Sequence, residues 1–214
     1  MVSTPDDLAP HGFTANAYVA DPEEWVALFK MPHDGPPGLW RLALPTDITI
    51  PEETVLSEDF VEARLQRFLP QPRRYDIAYK SIYRVHQRVA ATFRAGRLLL
   101  AGDAAHVNNP LGAMGLNSGI HDAVNLAEKL GAVWRGERDD GALDHYDRQR
   151  RTIAVDIVQA ITIRNKRLLE ERDDAVRAAR LDEMLHTAAD PKLAHDFLLK
   201  SSMIASVRAA AAIA

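Results

Sequence analysis

An acidic residue follows a short apolar run that glycines bound on either side. The run is Arg97–Ala101, and Gly102 and Asp103 come directly after it. Such a run is typical of a strand covered on both faces, and ligands bind at the carboxyl ends of strands in α/β sheets. Gly102 allows the backbone to turn close to a ligand, and the carboxylate of Asp103 accepts hydrogen bonds. The sequence therefore predicts a site for sugar-like hydroxyl groups at the end of a central strand.

A loop of small residues leads from this acid into a predicted helix. The loop runs from Asn109 to Gly119, and apolar residues at helical spacing predict a helix over Asn117–Leu130, with Gly131 as its stop. Free amides and the positive dipole end at a helix start favour an anion or an electron-rich carbonyl. A reduced flavin gathers negative charge at its N1 and C2 carbonyl edge, where fixed amide donors stabilise it. The pattern favours a flavin.

The residue types also stand in a distinctive order from the acid into the helix. Gly102-Asp103-Ala104-Ala105-His106 opens the segment. The residues that continue it are Pro110, Gly112, Gly115, Leu116, Asn117, Gly119, Asp122 and Asn125-Leu126-Ala127. This order closely resembles the second flavin-binding motif of the single-component aromatic hydroxylases, the relatives of p-hydroxybenzoate hydroxylase. A strand segment ending in Tyr83-Arg84-Val85-His86-Gln87-Arg88-Val89-Ala90 resembles the same family more weakly.

The resemblance implies FAD as cofactor and gives roles to individual residues. It implies that Asp103 contacts the ribityl chain and that a backbone carbonyl near Pro110 faces substrate and flavin. The amides around Leu116 and Asn117 are expected to hold the edge of the flavin ring. The expected cofactor-binding residues are Gly102, Asp103, Pro110, Gly112, Gly115, Leu116 and Asn117. No catalytic side chain is assigned.

Histidine 106 is a candidate base or metal ligand by its type alone. No second histidine or carboxylate stands at metal-ligand spacing from it, so we interpret His106 as packing within its loop and expect no metal. His86 and His121 receive the same interpretation.

For a complete enzyme, the resemblance implies that NADH or NADPH reduces FAD and that one oxygen atom is transferred to an aromatic substrate. A complete relative begins with a strand, a Gly-x-Gly-x-x-Gly turn and a helix, and the eleven glycines here include no such triplet. We therefore expect a carboxyl-terminal half, and whether it binds FAD alone is open. Two alternatives remain: a non-catalytic remnant or partner-binding subunit, and a related flavoprotein oxidase or halogenase.

The surrounding elements predict a mixed α+β and α/β chain, a partial FAD/NAD(P)-binding fold like that of p-hydroxybenzoate hydroxylase. Residues 1–92 are expected to form part of an antiparallel substrate-binding sheet domain. Residues 93–135 are expected to form the carboxyl-terminal part of the FAD-binding domain, and residues 136–214 a helical tail. Four aromatic residues in the first part are candidate pocket walls, with core packing favoured, namely Trp25, Phe29, Trp40 and Tyr83.

Turn residues and apolar periodicity predict the individual elements. Met1–Gly12 is predicted to be a loose start. Strands are predicted over Phe13–Ala20, Trp25–Met31 and Leu39–Leu44, with one or two more within Tyr75–Phe93 that continue the same sheet. Helices are predicted over Glu58–Phe68, capped by Ser57, and over Leu143–Arg172, Ala175–Ala188 and Pro191–Ala212.

Composition limits the partners and the compartment. The 26 basic and 30 acidic residues leave a net charge of −4, too near neutral for a nucleic-acid binder. Cysteine is absent, and no apolar run approaches the length of a membrane span, so we expect a cytoplasmic protein without a membrane partner. The expected partners are an aromatic small molecule and either a second copy of the chain or a missing amino-terminal half.

Overall fold

The computed structural model describes residues 1 to 214 and divides into two compact units. The first unit contains Met1–Arg84 and Leu168–Asp174, and the second contains Val85–Arg167 and Ala175–Ala214. The mixed fold class is confirmed, with an antiparallel sheet in the first unit and a helical carboxyl-terminal part. None of the helices is both long enough and apolar enough to cross a membrane.

A five-stranded antiparallel sheet organises the first unit. Its strands are β1 (Val2–Thr4), β2 (Asn16–Val19), β3 (Val26–Met31), β4 (Leu39–Ala43) and β5 (Tyr79–Lys80), in the order β2-β3-β4-β1-β5. The three strands predicted between Phe13 and Leu44 are confirmed as β2, β3 and β4, because the turn residues that separate them end each apolar run. Within Tyr75–Phe93, β5 continues this sheet as predicted.

The prediction of a loose start over Met1–Gly12 is wrong. Strand β1 lies between β4 and β5, and Val2 pairs with Leu42 on one side and with Lys80 on the other. All three residues of β1 are buried. A three-residue strand is too short to show a period in the sequence, so partners far along the chain determine it.

Two helices complete the first unit, α1 (Glu52–Val55) and α2 (Glu58–Phe68). The predicted cap of α2 is confirmed, since the Ser57 hydroxyl accepts a hydrogen bond from the Phe60 amide at 3.3 Å. Helix α2 buries Val61 and Leu65 in a core that also contains Trp40 and Leu42 of the sheet. The apolar stripe of α2 thus covers one face of the sheet.

Two short antiparallel strand pairs precede the helices of the second unit. Strand β6 (Arg88–Val89) pairs with β9 (His106–Val107), and β7 (Arg94–Ala95) pairs with β8 (Leu98–Leu99). The prediction that Arg97–Ala101 forms a covered strand of a central sheet is therefore wrong for this structure. Leu98 is 73% exposed and pairs with a neighbour across a tight turn. An apolar run shows that a strand forms without showing what covers it.

The rest of the second unit is helical. The helices that lie wholly or mostly in it are α3 (Met114–Trp134), α4 (Gly141–Ile153), α5 (Ala160–Leu169), α6 (Asp174–Ala189), α7 (Pro191–Ser201) and α8 (Ile204–Ala211). A π-helical segment, Ala154–Gln159, joins α4 to α5. The helices predicted over Asn117–Leu130, Leu143–Arg172 and Ala175–Ala188 are confirmed, with changed ends.

Two helix ends differ from the prediction. Gly131 does not stop α3, which continues to Trp134, because one glycine costs a helix only about 1 kcal/mol. The single helix predicted over Pro191–Ala212 is two helices, since Met203 takes a left-handed conformation with φ of 63° between α7 and α8. Met203 is buried in the core there.

A charge placed in β1 distinguishes a structured start from a loose one. We expect Val2→Asp to destabilise the first unit by about 3–5 kcal/mol, because Val2 is 5% exposed and the carboxylate would have no partner. The matched control is Ile48→Asp at a 95% exposed position, which should change stability by no more than about 0.5 kcal/mol. Urea unfolding followed by tryptophan fluorescence measures both, and equal curves would contradict the strand assignment.

Candidate functional site

Two glycines allow the turn after β8 to lie directly against α3. Gly102 has a φ of 61° and opens a 3-10 turn, Gly102–Ala104. A β-carbon added to Gly119 would lie 3.1 Å from the Gly102 α-carbon, which is closer than side chains normally approach backbone. The turn carries Asp103, whose side chain is exposed to solvent. The predicted acid therefore lies beside the first turns of the predicted helix.

The start of α3 presents backbone amides without a side-chain cap. Ala113 occupies the N-cap position in a left-handed conformation with φ of 54°, and no side chain accepts a hydrogen bond from the first-turn amides. The side-chain amide of Asn117 instead donates to the Ala113 carbonyl at 2.8 Å. Leu116 and Asn117 are exposed. Uncapped amides at a helix start are donors for an anion or a polarised carbonyl.

Side chains from distant parts of the second unit hold the loop before α3. The Asn109 carboxamide accepts from the Leu111 amide at 3.1 Å and donates to the Thr162 carbonyl at 3.0 Å. Asn165 donates to the Leu111 carbonyl at 3.1 Å, and a β-carbon on Gly112 would lie 2.9 Å from its side-chain nitrogen. These contacts fix Pro110–Ala113. No sequence pattern pointed to Asn165 or Thr162, because only the fold brings α5 to this loop.

A buried carboxylate anchors the turn to the helix. Asp122 of α3 accepts hydrogen bonds from the Gly102 amide at 3.0 Å, from His106 Nε2 at 2.9 Å and from Arg150 Nε at 2.6 Å. Burial raises its pKa, but the hydrogen bonds from His106 and Arg150 outweigh burial, so the pKa of Asp122 lies below its usual range. Asp122 is therefore ionised near neutral pH. The motif contained this residue, yet the sequence assigned it no role.

No group of side chains that could hold a metal ion includes His106, His121 or His86. His106 is buried, and its ring stacks on Phe93 with the ring centres 5.9 Å apart, so it packs in its loop as expected. Burial lowers the pKa of the half-buried His121, and the nearby charge of Arg150 lowers it further. His86 is exposed.

The residues present fit the contacts that FAD requires. An exposed carboxylate at Asp103 is an acceptor for ribityl hydroxyl groups, and the uncapped amides of α3 are donors for an electron-rich ring edge. Asn108 adds a buried carboxamide oxygen without a hydrogen-bond partner, close to Gly115, where an added β-carbon would lie 3.4 Å from that oxygen. Small side chains and an unsatisfied acceptor are features of a ligand site. The roles of the individual residues stay predictions.

Comparison with protein families identifies the family to which this chain belongs. A family model described as "FAD binding domain" matches residues 9–161. The chain belongs to this FAD binding domain family. The resemblance drawn from Gly102 to Ala127 is thereby confirmed.

The chain is similar to proteins named as monooxygenases or hydroxylases of aromatic compounds. The para-nitrophenol 4-monooxygenase of Pseudomonas sp. (strain WBC-3) is 36% identical over 90% of this chain and 47% of its own length. A 3-(3-hydroxy-phenyl)propionate/3-hydroxycinnamic acid hydroxylase of Mycolicibacterium smegmatis is 36% identical over 81% of this chain and 32% of its own. The crystal structure of p-nitrophenol 4-monooxygenase from Pseudomonas putida DLL-E4 aligns with a TM-score of 0.82 and 33% identity, over 96% of this chain and 51% of that one. The chain thus spans about half the length of the nitrophenol relatives.

The first unit contains a cleft of about 450 Å³ that differs from the predicted aromatic pocket. Its walls are mostly polar and comprise Glu58, Glu62, Arg74, Tyr75, Ile77, Ala78, Tyr79 and Lys80. None of the four candidate wall residues lines it. Trp40 is fully buried in the core, where its indole donates to Asp7 at 2.9 Å, so the core role favoured for it is the observed one.

Two matched glycine substitutions in α3 test the contact between the turn and the helix. We expect Gly119→Ala to destabilise the second unit by about 1–3 kcal/mol, because the new methyl group would push against the Gly102 backbone. Gly131→Ala is the control, since its methyl group would meet only the flexible Arg135 side chain, and it should stabilise α3 by up to about 1 kcal/mol. Thermal unfolding measures the stability of both variants. A Gly119→Ala variant more stable than the parent would refute the close packing.

Proposed function

We propose that the chain is the flavin-holding part of an FAD-dependent monooxygenase that hydroxylates an aromatic ring with NADH or NADPH and oxygen. The observation that carries the proposal is the Gly102–Gly119 contact, which sets the turn that bears Asp103 against the second turn of α3, a helix whose start has no side-chain cap. Family membership supports FAD as the ligand of this geometry. The names of the relatives favour oxygen transfer over the oxidase and halogenase alternatives.

The residues of the site would share the work of holding the cofactor. Asp103 would accept hydrogen bonds from ribityl hydroxyl groups, and the amides near Leu116 and Asn117 would donate to the ring edge. Gly102, Gly112 and Gly115 would keep side chains out of the way of the ring, and the Pro110 backbone would face the substrate. The chemistry supplied by bound FAD is electron transfer from the nicotinamide and activation of oxygen. The chain would orient the cofactor and stabilise charge on it.

The proposal extends to the substrate, to the roles of the three segments of the chain and to the compartment. Both relatives are named after ring substrates that carry a hydroxyl group, so we propose a phenol as substrate. The sheet within residues 1–92 would contribute to the substrate side, residues 93–135 to the flavin side, and residues 136–214 would support the flavin side. We also propose that the protein is cytoplasmic. Disulfides are rare in cytoplasmic proteins, and this chain contains no cysteine.

The Asp103 carboxylate gives a direct test of FAD binding. We expect Asp103→Ala to weaken FAD binding about 10- to 100-fold, the loss expected when a charged acceptor leaves hydroxyl donors unpaired. Quenching of flavin fluorescence measures the affinity for FAD. It is measured for the chain alone and for the chain mixed with the unmatched part of p-nitrophenol 4-monooxygenase, that is, the part of that enzyme that does not align with this chain. Asp34→Ala, in the exposed turn between β3 and β4, is the control. A parent chain that binds no FAD under either condition contradicts the proposal.

An apolar stripe on α3 favours association with a further polypeptide as part of this function. One side of α3 is buried at Ser118, Asp122 and Lys129. The opposite side exposes large apolar residues at helical spacing, namely Leu116, Ile120, Val124, Leu130 and Trp134. Contiguous exposed apolar surface of this kind marks an interaction site.

We propose that this stripe binds the part of the family polypeptide that has no match in this chain. The relatives with which this chain aligns almost throughout are about twice as long, so their remaining half is a partner of the right size. Leu116 belongs to both the stripe and the flavin site, so the partner would complete the site at the same time. The alternative occupant is a second copy of the chain.

Paired charges in the stripe distinguish these occupants. We expect Ile120→Asp with Val124→Asp to weaken binding to the unmatched part of p-nitrophenol 4-monooxygenase about 100-fold or more, because two charges would be desolvated in the contact. Leu181→Asp with Leu185→Asp is the matched control on α6, where both side chains are also exposed. Light scattering after gel filtration gives the mass of each species and so shows whether the chain is in the complex, in its own dimer or alone. A parent chain that forms only its own dimer, disrupted by the α3 pair, would contradict this occupant.

A further inference from the structure

The donors that converge on Asp122 come from three different elements. The Gly102 amide belongs to the turn that carries Asp103, His106 to β9 and Arg150 to α4. Oδ2 accepts from the first two and Oδ1 from the third. Asp122 is fully buried, and Arg150 and His106 are nearly so. A charge this deep in the protein is tolerated because each of these donors compensates it.

We propose that Asp122 is the positioning residue of the flavin site, holding the Gly102–Asp103 turn in the orientation that presents Asp103 to a ligand. This inference rests on the proposed function of Asp103. The glycine contact alone provides room for the turn but little attraction, since glycines present no side-chain surface. Asp122 stands three residues after Gly119 and so on the same side of α3, where it can bind the amide of Gly102. The two glycines leave room for the turn beside α3, and the hydrogen bond to Asp122 holds the turn there.

A carboxylate is required at this position, and an amide is not equivalent. An ionised carboxylate accepts on both oxygens, whereas an asparagine has one accepting oxygen and one donating nitrogen. In Asp122→Asn, the nitrogen would face either the Arg150 guanidinium or the pair formed by the Gly102 amide and His106. Donor would then meet donor in one of these places. The substitution preserves shape and changes only the pattern of acceptors.

The chain supplies a matched control in Asp147 of α4. Its carboxylate accepts from the Phe93 amide at 2.7 Å and from the Thr92 hydroxyl at 2.9 Å. It anchors a loop in the same unit by the same chemistry, but it does not contact the Gly102 turn. Asp147→Asn therefore reproduces the general cost of losing a structural carboxylate without disturbing the site.

Amide exchange measures the positioning role without any cofactor. In Asp122→Asn, NMR should show exchange at the Gly102 amide faster by about tenfold or more, together with changed ring nitrogen shifts of His106. In Asp147→Asn, the change should appear at the Phe93 amide and leave Gly102 as in the parent. An Asp122→Asn chain with parental Gly102 exchange and parental His106 shifts overturns the inference.

FAD affinity then separates positioning from stability. Asp122→Asn should weaken FAD binding about tenfold, the effect of one lost hydrogen bond to an ionised group, while Asp147→Asn should bind as the parent does. If Asp122→Asn exchanges Gly102 faster yet binds FAD like the parent, the positioning role is overturned and the proposed function stands. A parent that never binds FAD, alone or with the unmatched part of the nitrophenol relative, overturns the proposed function and this role with it.

A second variant tests the inference if Asp122→Asn does not fold. Asp122→Leu with Arg150→Met removes the acceptor together with the charge that would be left unpaired, which is far less destabilising than breaking the pair. It should show the same faster exchange at Gly102 and the same weaker FAD binding. Parental values for both measurements in this double variant overturn the inference.

Discussion

The ion pair between Asp122 and Arg150 is the interaction on which the second unit most depends. The carboxylate and the guanidinium meet at 2.6 Å with almost no exposure to solvent, so neither charge has water as an alternative partner. Arg150 also donates to the Ser118 hydroxyl at 3.2 Å, one turn earlier in α3. The pair therefore ties α4 to α3, and Asp122 extends the tie to the turn that carries Asp103. Removing one partner of such a pair would leave a buried charge without compensation, which is strongly destabilising.

The sequence predicted the candidate site where its residues are neighbours along the chain. The segment from Gly102 to Asn117 contains the acid, the glycines and the helix start in one local order, so residue types and spacing were enough to identify it. Its supporting side chains come from far away: Arg150 lies 28 residues beyond Asp122, and Asn165 lies 54 residues beyond Leu111. An arginine or an asparagine on a helix is usually solvated, and only the packing of α4 and α5 shows otherwise.

The fold follows the same division between local and distant causes. Strands β2, β3 and β4 and helix α2 have their own turns, caps and apolar faces, and they formed where the sequence predicted them. Strand β1 has only three residues and depends on β4 and β5, whereas β8 pairs with its chain neighbour β7 and joins no central sheet. A short apolar segment therefore predicts a strand more securely than it predicts a place in a sheet.

Helix α3 unites these observations because its two sides obey different constraints. The inner side carries Ser118, Asp122 and Lys129, and the Lys129 ammonium donates to Asn125 and Gln149 at 2.9 and 2.8 Å. Burial lowers the pKa of Lys129, with a further contribution from the charge of Arg138, so this side holds charge at a cost in desolvation. The outer side exposes an apolar stripe to solvent. A helix that fixes polar groups internally and leaves apolar groups outside is suited to hold a ligand at its start while a second polypeptide covers its length. The proposed flavin site and the apolar surface are therefore two consequences of how one helix is oriented.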